Sequence, residues 1–506
     1  MRIAGWEIRE RGETAEISAD VDGFRLWYRI PLSVPYARTA DPFAAAALLP
    51  AMLQGGPLEI APDLPLSPKL LENLRVLQDI HHCWNPLFQI VPIEAATAPA
   101  APFRDGSFAF FSGGVDSTYT FLKRRSELTH LVFIQGFDFF ANAGASGGFA
   151  EDDLADLSLL ALRLMEPASA LASHLKDSLG EDTRKALADY RATGVPAPGL
   201  EARLARDLEA VIAGPPLWDA GRFAGTALRP ETKALLEEGR PGVDAYRLNR
   251  MLLEDAYPLE IARRDDTAYR TAVDRNARFA RSHGKTLLPV STNHYAFGYR
   301  YNLSRNLTQG SALASIALLL GFPRVFAPAA YSYGQLFPLG QHPLTDPLWS
   351  NEIVQIIHEG AEARRVDKIA RIAEDGPALA NLRVCFDDMN SNCGRCSKCL
   401  RTTIPLGLLG ATGGPFPPLP PLKAIRKMRI ASDIESVFLK EILDPAFRPA
   451  ARPLYRALKA SIRRFELQRL LRDFDKVVLG GRIRKAYMRR AGPPPGIVRI
   501  DTTPPG

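Results

Sequence analysis

Hydrophobic and polar residues alternate over three stretches near the beginning of the chain, which predicts β-strands with one buried face. Asp22-Gly23, a pair typical of hairpin turns, separates the second stretch from the third. Two helices, Pro42–Leu53 and Leu66–Cys83, and a strand, Leu87–Val91, complete the α+β unit that we expect over residues 1–95. The three alternating stretches are Arg2–Arg9, Thr14–Ala19 and Phe24–Ile30.

From Ser107 the pattern changes to short apolar runs separated by helical segments. Runs of this kind are typical of a parallel sheet, whose strands are buried on both faces and connected by helices. The clearest helix is Ser311–Leu320, with Gly321 as its C-terminal stop. We therefore expect an α/β fold, with a parallel-sheet domain over residues 103–403. Its predicted strands are Ser107–Phe111, Leu131–Phe137, Thr286–Ser291, Arg324–Pro328 and Leu382–Phe386.

The second and third of these strands lie about 125 residues apart, although such connections usually have about 2–6 residues. Helical periodicity fills the interval, so we expect an inserted helical subdomain over about residues 140–263. An insertion at the carboxyl ends of the strands would cover the site or select the substrate, and a packing or dimerisation role is equally open. Beyond the sheet domain we expect a basic helical region over 404–490 and a disordered Pro/Gly-rich tail over 491–506.

Composition places the chain among globular proteins, since 46% of its 506 residues are hydrophobic and 24% are charged. The sequence contains no run of about 18 uninterrupted apolar residues, so we expect no membrane-spanning helix. The first residues carry charge where a signal peptide would have its apolar core, which favours a cytoplasmic location.

The formal charge of +7 is unevenly distributed along the chain. Residues 451–506 contain 14 Lys and Arg against 4 Asp and Glu, so the remainder of the chain is slightly acidic. A basic C-terminal region makes nucleic acid a candidate partner. A solvated amphipathic helix explains the same pattern, and a second copy of the chain, forming a homodimer, is another candidate partner.

The segment Ser112-Gly113-Gly114-Val115-Asp116-Ser117 follows a predicted buried strand and precedes a predicted helix. Adjacent glycines let an anion approach the backbone, and the free amides and dipole of a helix start favour a phosphate there. Ser112 and Ser117 can add hydroxyl donors. The carboxylate of Asp116 would repel a bare phosphate, and it therefore implies either a bridging Mg²⁺ or a helix cap.

Four of the five cysteines lie within fifteen residues. In a long chain of this composition, such a cluster favours metal binding over disulfides. Four sulfurs without a competing histidine suit a closed, tetrahedral Zn²⁺ site of structural type, and an iron–sulfur cluster and redox thiols are the alternatives. The four residues are Cys385, Cys393, Cys396 and Cys399.

The Ser-Gly-Gly-Val-Asp-Ser loop is similar to that of the PP-loop ATP pyrophosphatase superfamily. Its combination with the downstream Cys-Gly-Arg-Cys-Ser-Lys-Cys-Leu-Arg segment resembles the 7-cyano-7-deazaguanine synthase family, over about residues 107–135 and 286–401. The resemblance implies that the loop binds the pyrophosphate of ATP with Mg²⁺, that Asp116 and Ser117 are catalytic, and that the cysteines bind Zn²⁺. It implies ATP contacts from Ser112, Gly113, Gly114, Val115, Asp116, Ser117 and Thr118, and from Asp138 after the second strand.

The segments that recognise the base in the synthase family are replaced here. Gln135-Gly136-Phe137-Asp138 follows the second predicted strand, and Pro289–Asn293 lies at the end of the third. We therefore expect an ATP-dependent, AMP- and pyrophosphate-forming ligase that adenylates a different carboxylate-type acceptor for attack by ammonia or an amine. The alternatives are a PP-loop enzyme that modifies tRNA or a nucleobase, and a non-catalytic nucleotide-binding module of a larger, anti-phage assembly.

Overall fold

The structure is a computed structural model of the chain. It describes residues 1–137, 179–186, single positions between 203 and 214, and 259–478 except 302, 304, 386–389, 412–413, 429, 431–432 and 446–451. Asp138, nearly all of the expected insertion over 140–263 and the tail over 491–506 lie outside the described residues. Within the described part of the chain, every helix is too short or too polar to cross a membrane.

The N-terminal residues form three antiparallel strands followed by two helices, as predicted. Asp22 and Gly23, with φ of 56° and 77°, form the hairpin turn in the left-handed region that this residue pair tolerates. The expected strand over Leu87–Val91 is wrong, because the Val91 amide donates to Oε1 of Gln78 on the preceding helix instead of to a strand. The elements are β1 (Arg2–Arg11), β2 (Thr14–Val21), β3 (Phe24–Pro31), α1 (Asp41–Gln54), β4 (Leu58–Ile60), α2 (Pro68–Trp84) and β5 (Ile93–Glu94).

Strands and helices alternate from residue 107 onward, and helices dominate the C-terminal part. The alternating elements are β6 (Ser107–Phe110), α3 (Val115–Arg124), β7 (His130–Gln135), α4 (Leu259–Ser282), β8 (Thr286–Thr292), α5 (His294–Arg300), α6 (Arg305–Leu320), β9 (Arg324–Pro328) and β10 (Gln355–Glu359). The helices that follow are α7 (Arg365–Ala373), α8 (Gly376–Asn381), α9 (Ser397–Leu408), α10 (Leu422–Arg426), α11 (Asp433–Glu441) and α12 (Arg452–Val478).

The ten strands of the described residues belong to one mostly parallel sheet, in the order β10-β9-β6-β7-β8-β3-β2-β1-β4-β5. The α/β fold class is therefore confirmed. The N-terminal strands continue the sheet because β3 pairs antiparallel with β8, where Tyr28 lies opposite Thr292. Asn293 fixes this junction: its Oδ1 accepts from the Trp27 amide at 2.9 Å, and its Nδ2 donates to the Arg25 carbonyl at 2.9 Å.

The last predicted parallel strand is in the wrong place. Leu382–Phe386 was expected to be a strand, but the described residues Leu382–Cys385 have no strand partner, and β10 supplies the edge strand beside β9 instead. The Arg383 amide donates to the Gly113 carbonyl at 2.9 Å, so this segment lies against the loop after β6. The residues that precede the cysteine cluster are therefore held at the segment Ser112–Ser117, which we call the phosphate-loop candidate.

Both faces of the parallel strands are buried, as their continuous apolar runs predict. Along β6, Phe108 and Phe110 belong to the core shared with the N-terminal unit. Ala109 and Phe111 point to the opposite core, which includes residues of α3, α4 and α7. Because successive side chains alternate between two cores, β6 is held rigidly, and so is the loop that follows it.

Gly321 ends α6 in the left-handed conformation that the sequence predicts, with φ of 64°. A Cβ atom at this position would lie 2.1 Å from the ring of Phe103. We expect Gly321→Ala to lower the free energy of unfolding by about 1–3 kcal/mol, measured by denaturant titration. Gly376→Ala is the matched control, since its Cβ would meet nothing within 4 Å, and equal effects of the two substitutions would contradict this account.

Candidate anion-binding loop and metal centre

The segment between β6 and α3 is a tight loop that directs backbone amides outward. Gly113 has φ of 76°, which only glycine adopts without strain, and Gly114 is the N-cap of α3 without a side-chain capping bond. The first amides of a helix have no carbonyl partner within it. At α3 these groups, including the amides of Val115 and Asp116, are available to an anion, and the helix dipole favours its negative charge.

The two loop serines lie together at this helix start. Their Oγ atoms are 3.3 Å apart, the Gly114 amide donates to Oγ of Ser112 at 3.3 Å, and Ser117 donates to the Gly114 carbonyl at 3.2 Å. Val115 and Thr118 are buried, with exposed fractions of 1% and 0%, so their side chains point into the core. Val115 and Thr118 can therefore contact a ligand through their backbone groups but not through their side chains.

Asp116 forms ion pairs with two residues of α7. Its Oδ2 lies 3.1 Å from Nη1 of Arg365, and its Oδ1 lies 3.1 Å from Nζ of Lys368. Burial raises the pKa of Asp116, but the charges and hydrogen bonds of Lys368 and Arg365 outweigh it and hold that pKa below its ordinary value. Asp116 is therefore ionised at neutral pH, and it does not cap α3.

Lys368 and Arg365 are held in place by neighbouring elements. Lys368 is 1% exposed, and its Nζ also donates to the Ala329 carbonyl after β9 at 2.5 Å. The first turn of α7 is supported by Glu441 of α11, which accepts from the Val366 amide at 3.4 Å. These contacts place two cations at the phosphate-loop candidate without requiring a ligand to position them.

Aromatic packing from the C-terminal helices extends this support. The ring of Phe438 in α11 stacks on Tyr331, with centroids 5.1 Å apart and planes at 21°. The guanidinium groups of Arg401 and Arg365 lie 4.8 Å and 5.5 Å from the Phe438 centroid. Cation–π contacts of this kind stabilise a partly desolvated arginine. The C-terminal helical region therefore helps to position Arg365 beside Asp116.

A second set of polar groups lies beside Gly113. A Cβ atom at Gly113 would be 3.1 Å from Oδ1 of Asn276 and 3.6 Å from Nη2 of Arg275, both on α4. Oδ1 of Asn276 accepts from Nδ2 of Asn381 at 3.3 Å. Arg383 follows in the chain and is bound to Gly113 through its amide. Glycine is therefore required at position 113 both for its φ and for the close approach of α4.

The four clustered cysteines converge on one point. Their Sγ atoms all lie within 4.8 Å of one another, and those of Cys385 and Cys396 are 3.8 Å apart. Four thiolates around a single tetrahedral ion with bonds of about 2.3 Å would be about 3.8 Å apart. The cluster is thus close enough to bind a metal such as zinc, with Cys396 as the N-cap of α9.

The cysteine cluster is joined to the phosphate-loop candidate by a short hydrogen-bonded segment. Oδ1 of Asn392 accepts from the Val384 amide at 2.9 Å, and its Nδ2 donates to the Leu382 carbonyl at 2.9 Å. Arg383 lies between these two residues and binds Gly113. The cysteine cluster and the loop are therefore joined by hydrogen bonds through three consecutive residues, Leu382 to Val384.

The fold is α/β, its loop between β6 and α3 is a candidate anion site, and its four clustered cysteines lie close enough together to bind a metal. Comparison with protein-family models, with curated proteins and with solved structures finds no match to this chain. The function is therefore inferred from the arrangement of the side chains.

Proposed function

We propose that this protein is an ATP-dependent ligase that forms AMP and pyrophosphate while activating a carboxylate-type acceptor. The observation that carries the proposal is the charge at the loop. Three cations, Arg275, Arg365 and Lys368, lie at or beside a segment whose own single carboxylate is Asp116. Such an excess of positive charge beside free helix amides suits a polyanion such as pyrophosphate.

The chemistry requires little from the protein beyond positioning and charge neutralisation. A carboxylate oxygen of the acceptor attacks the α-phosphorus of ATP, and the bond from that phosphorus to the bridging oxygen of the β-phosphate breaks. The electron pair leaves with pyrophosphate, whose charge the loop amides and the three cations stabilise. Mg²⁺ bound with ATP would neutralise part of this charge, with Asp116 as its carboxylate ligand.

The second half of the reaction uses ammonia or an amine. Its nitrogen attacks the acyl carbon of the adenylate, AMP leaves with the electron pair of the broken C–O bond, and the nitrogen loses a proton to water. The product is an amide, and further activation of an amide from ammonia by a second ATP would give a nitrile. Because the acceptor is already anionic, its attack needs no general base.

We propose Zn²⁺ as the ion of the cysteine cluster, in a structural role. Four thiolates fill a tetrahedral shell and leave no position for substrate. In an iron–sulfur cluster the four thiolates are divided among two or four iron atoms, so the set is spread more widely than around one ion. The separations within 4.8 Å therefore favour a single ion.

The compact cysteine cluster also bears on the alternative of sulfur transfer to tRNA or a nucleobase. Sulfur transfer of this kind would use a reactive pair of cysteines outside a closed metal site. Four of the five cysteines gather in the cluster, and the fifth, Cys83, is exposed on α2. Because the four clustered cysteines would all bind the metal, the ligase is favoured over the sulfur-transfer enzyme.

The direct test is to identify the products formed from ATP. The protein is incubated with ATP, Mg²⁺, a panel of small carboxylates and hydroxylamine, which traps an activated carboxylate as a hydroxamate. We expect AMP, pyrophosphate and hydroxamate in equal amounts, dependent on one class of carboxylate. Formation of ADP and phosphate would contradict the proposal.

A further inference from the structure

Arg275 lies at the phosphate-loop candidate and forms no ion pair with the residues that the structure describes. Its Nε and Nη2 are buried and have no hydrogen-bond partner among the residues that the structure describes. The neighbouring charges are like charges, because Arg383 and Arg278 act on it. Burial first, and then repulsion by these two arginines, lower the pKa of Arg275 to about 10.

Asn276, the next residue on α4, repeats the pattern. Its side chain is 0% exposed, and its Nδ2 has no hydrogen-bond partner in the described part of the chain. Its Oδ1 is fixed by Asn381, so the amide donor is oriented and cannot rotate away without losing that bond. A buried donor left unsatisfied destabilises the folded chain, and an unpaired buried charge does so more strongly.

These two residues converge on Gly113 of the loop. The position of a Cβ at Gly113 is 3.6 Å from Nη2 of Arg275 and 3.1 Å from Oδ1 of Asn276. The cations that bind Asp116 come from α7, whereas Arg275 and Asn276 come from α4. The loop is therefore approached from two helices, and its carboxylate pairs with the cations of α7.

We propose that Arg275 forms, beside Gly113, a phosphate subsite that binds the pyrophosphate group of ATP and retains it as it leaves. This inference rests on the proposed function and assigns a ligand to donors that the loop motif does not include. One guanidinium group can donate two parallel hydrogen bonds to two oxygens of a phosphate. An anion beside Gly113 would pair the Arg275 charge and offset the repulsion that Arg383 exerts on it.

Two effects of Arg275→Gln follow, and they have opposite signs. Without ligand, the substitution removes a partly buried charge that has no ion pair among the described residues, so the midpoint of thermal unfolding should stay equal or rise by about 3 °C. With ligand, the variant lacks a charge-assisted contact, so the affinity for pyrophosphate should fall about 10- to 100-fold. A purely structural arginine would lower the thermal midpoint and leave pyrophosphate binding unchanged.

The experiment is a calorimetric titration of the full-length protein with inorganic pyrophosphate and Mg²⁺, together with thermal unfolding. Arg281→Gln is the matched control, an exposed arginine of the same helix, and its affinity should stay within about 2-fold of the parent. Arg275→Lys keeps the charge but loses the planar fork, so it should bind with intermediate affinity and serves if the glutamine variant does not fold.

The outcomes separate this subsite from the proposed function. If the parent binds pyrophosphate and Arg275→Gln binds it equally well, the subsite is wrong and the ligase proposal stands. If the parent does not bind pyrophosphate at all, both are contradicted. A selective loss of affinity in Arg275→Gln, with the Arg281→Gln control intact, is the result that the subsite predicts.

Discussion

Replacing Asp116 by asparagine is expected to lower the rate of ATP-dependent AMP formation about 10²- to 10³-fold. The carboxylate is ionised because Lys368 and Arg365 hold its pKa low, and it can therefore bind a metal ion and keep both cations at the loop. Asparagine preserves the size and one acceptor but removes the charge. AMP is quantified by chromatography at saturating ATP and Mg²⁺.

Asp105→Asn provides the matched control, since it makes the same chemical change on an exposed residue before β6. The circular dichroism spectrum and zinc content of Asp116→Asn should equal those of the parent, which separates a catalytic effect from unfolding. An Asp116→Asn protein that is folded and forms AMP at the parental rate would remove this residue from the proposed mechanism.

Replacing Cys396 by serine is expected to abolish zinc binding and to lower the free energy of unfolding by about 4 kcal/mol or more. Serine can still cap α9, as the Cys396 side chain does by accepting from the Cys399 amide, so the loss reports on the metal and not on the cap. Because Arg383 links this region to Gly113, pyrophosphate affinity should fall as well. Zinc is counted by mass spectrometry and stability by denaturant titration.

Cys83→Ser serves as the control for the cysteine cluster, because Cys83 is exposed and lies outside it. One zinc ion per chain and unchanged stability, to within about 0.5 kcal/mol, are expected for this variant. A parent protein without bound metal, or a Cys396→Ser protein as stable as the parent, would contradict the assignment of a structural ion.

Local sequence was sufficient to predict the parts of the site that are contiguous in the chain. The phosphate-loop candidate is six consecutive residues, and the cysteine cluster spans fifteen. Within each, the backbone conformation follows from glycines and spacing, such as φ of 76° at Gly113 and 70° at Gly394. Short-range geometry of this kind is encoded by the residues themselves.

The cations of the site could not be predicted in the same way. Lys368 and Arg365 are about 250 positions from Asp116, and Arg275 follows the long segment after β7. Nothing in the local sequence distinguishes them from solvated arginines and lysines on amphipathic helices. Only the parallel sheet, by ordering β9, β6 and β7 side by side, brings α4 and α7 to the loop.

The errors in strand prediction have a similar origin. Leu382–Cys385 is apolar enough to predict a buried strand, but it packs beside the loop. Its amides donate to the Gly113 carbonyl and to Oδ1 of Asn392 instead of to a strand. The pairing of β3 with β8 joins residues 266 positions apart through Asn293. Apolar runs predict burial, whereas the choice of partner depends on tertiary packing.

A structure of the protein with Mg²⁺ and α,β-methylene-ATP tests the central claim most directly, because this analogue cannot release pyrophosphate and needs no acceptor. We predict that its β- and γ-phosphates contact the amides of residues 113–117, with Mg²⁺ at Asp116. The adenosine should lie toward the carboxyl end of β7. Phosphates bound elsewhere, with the loop amides facing solvent, would contradict the account.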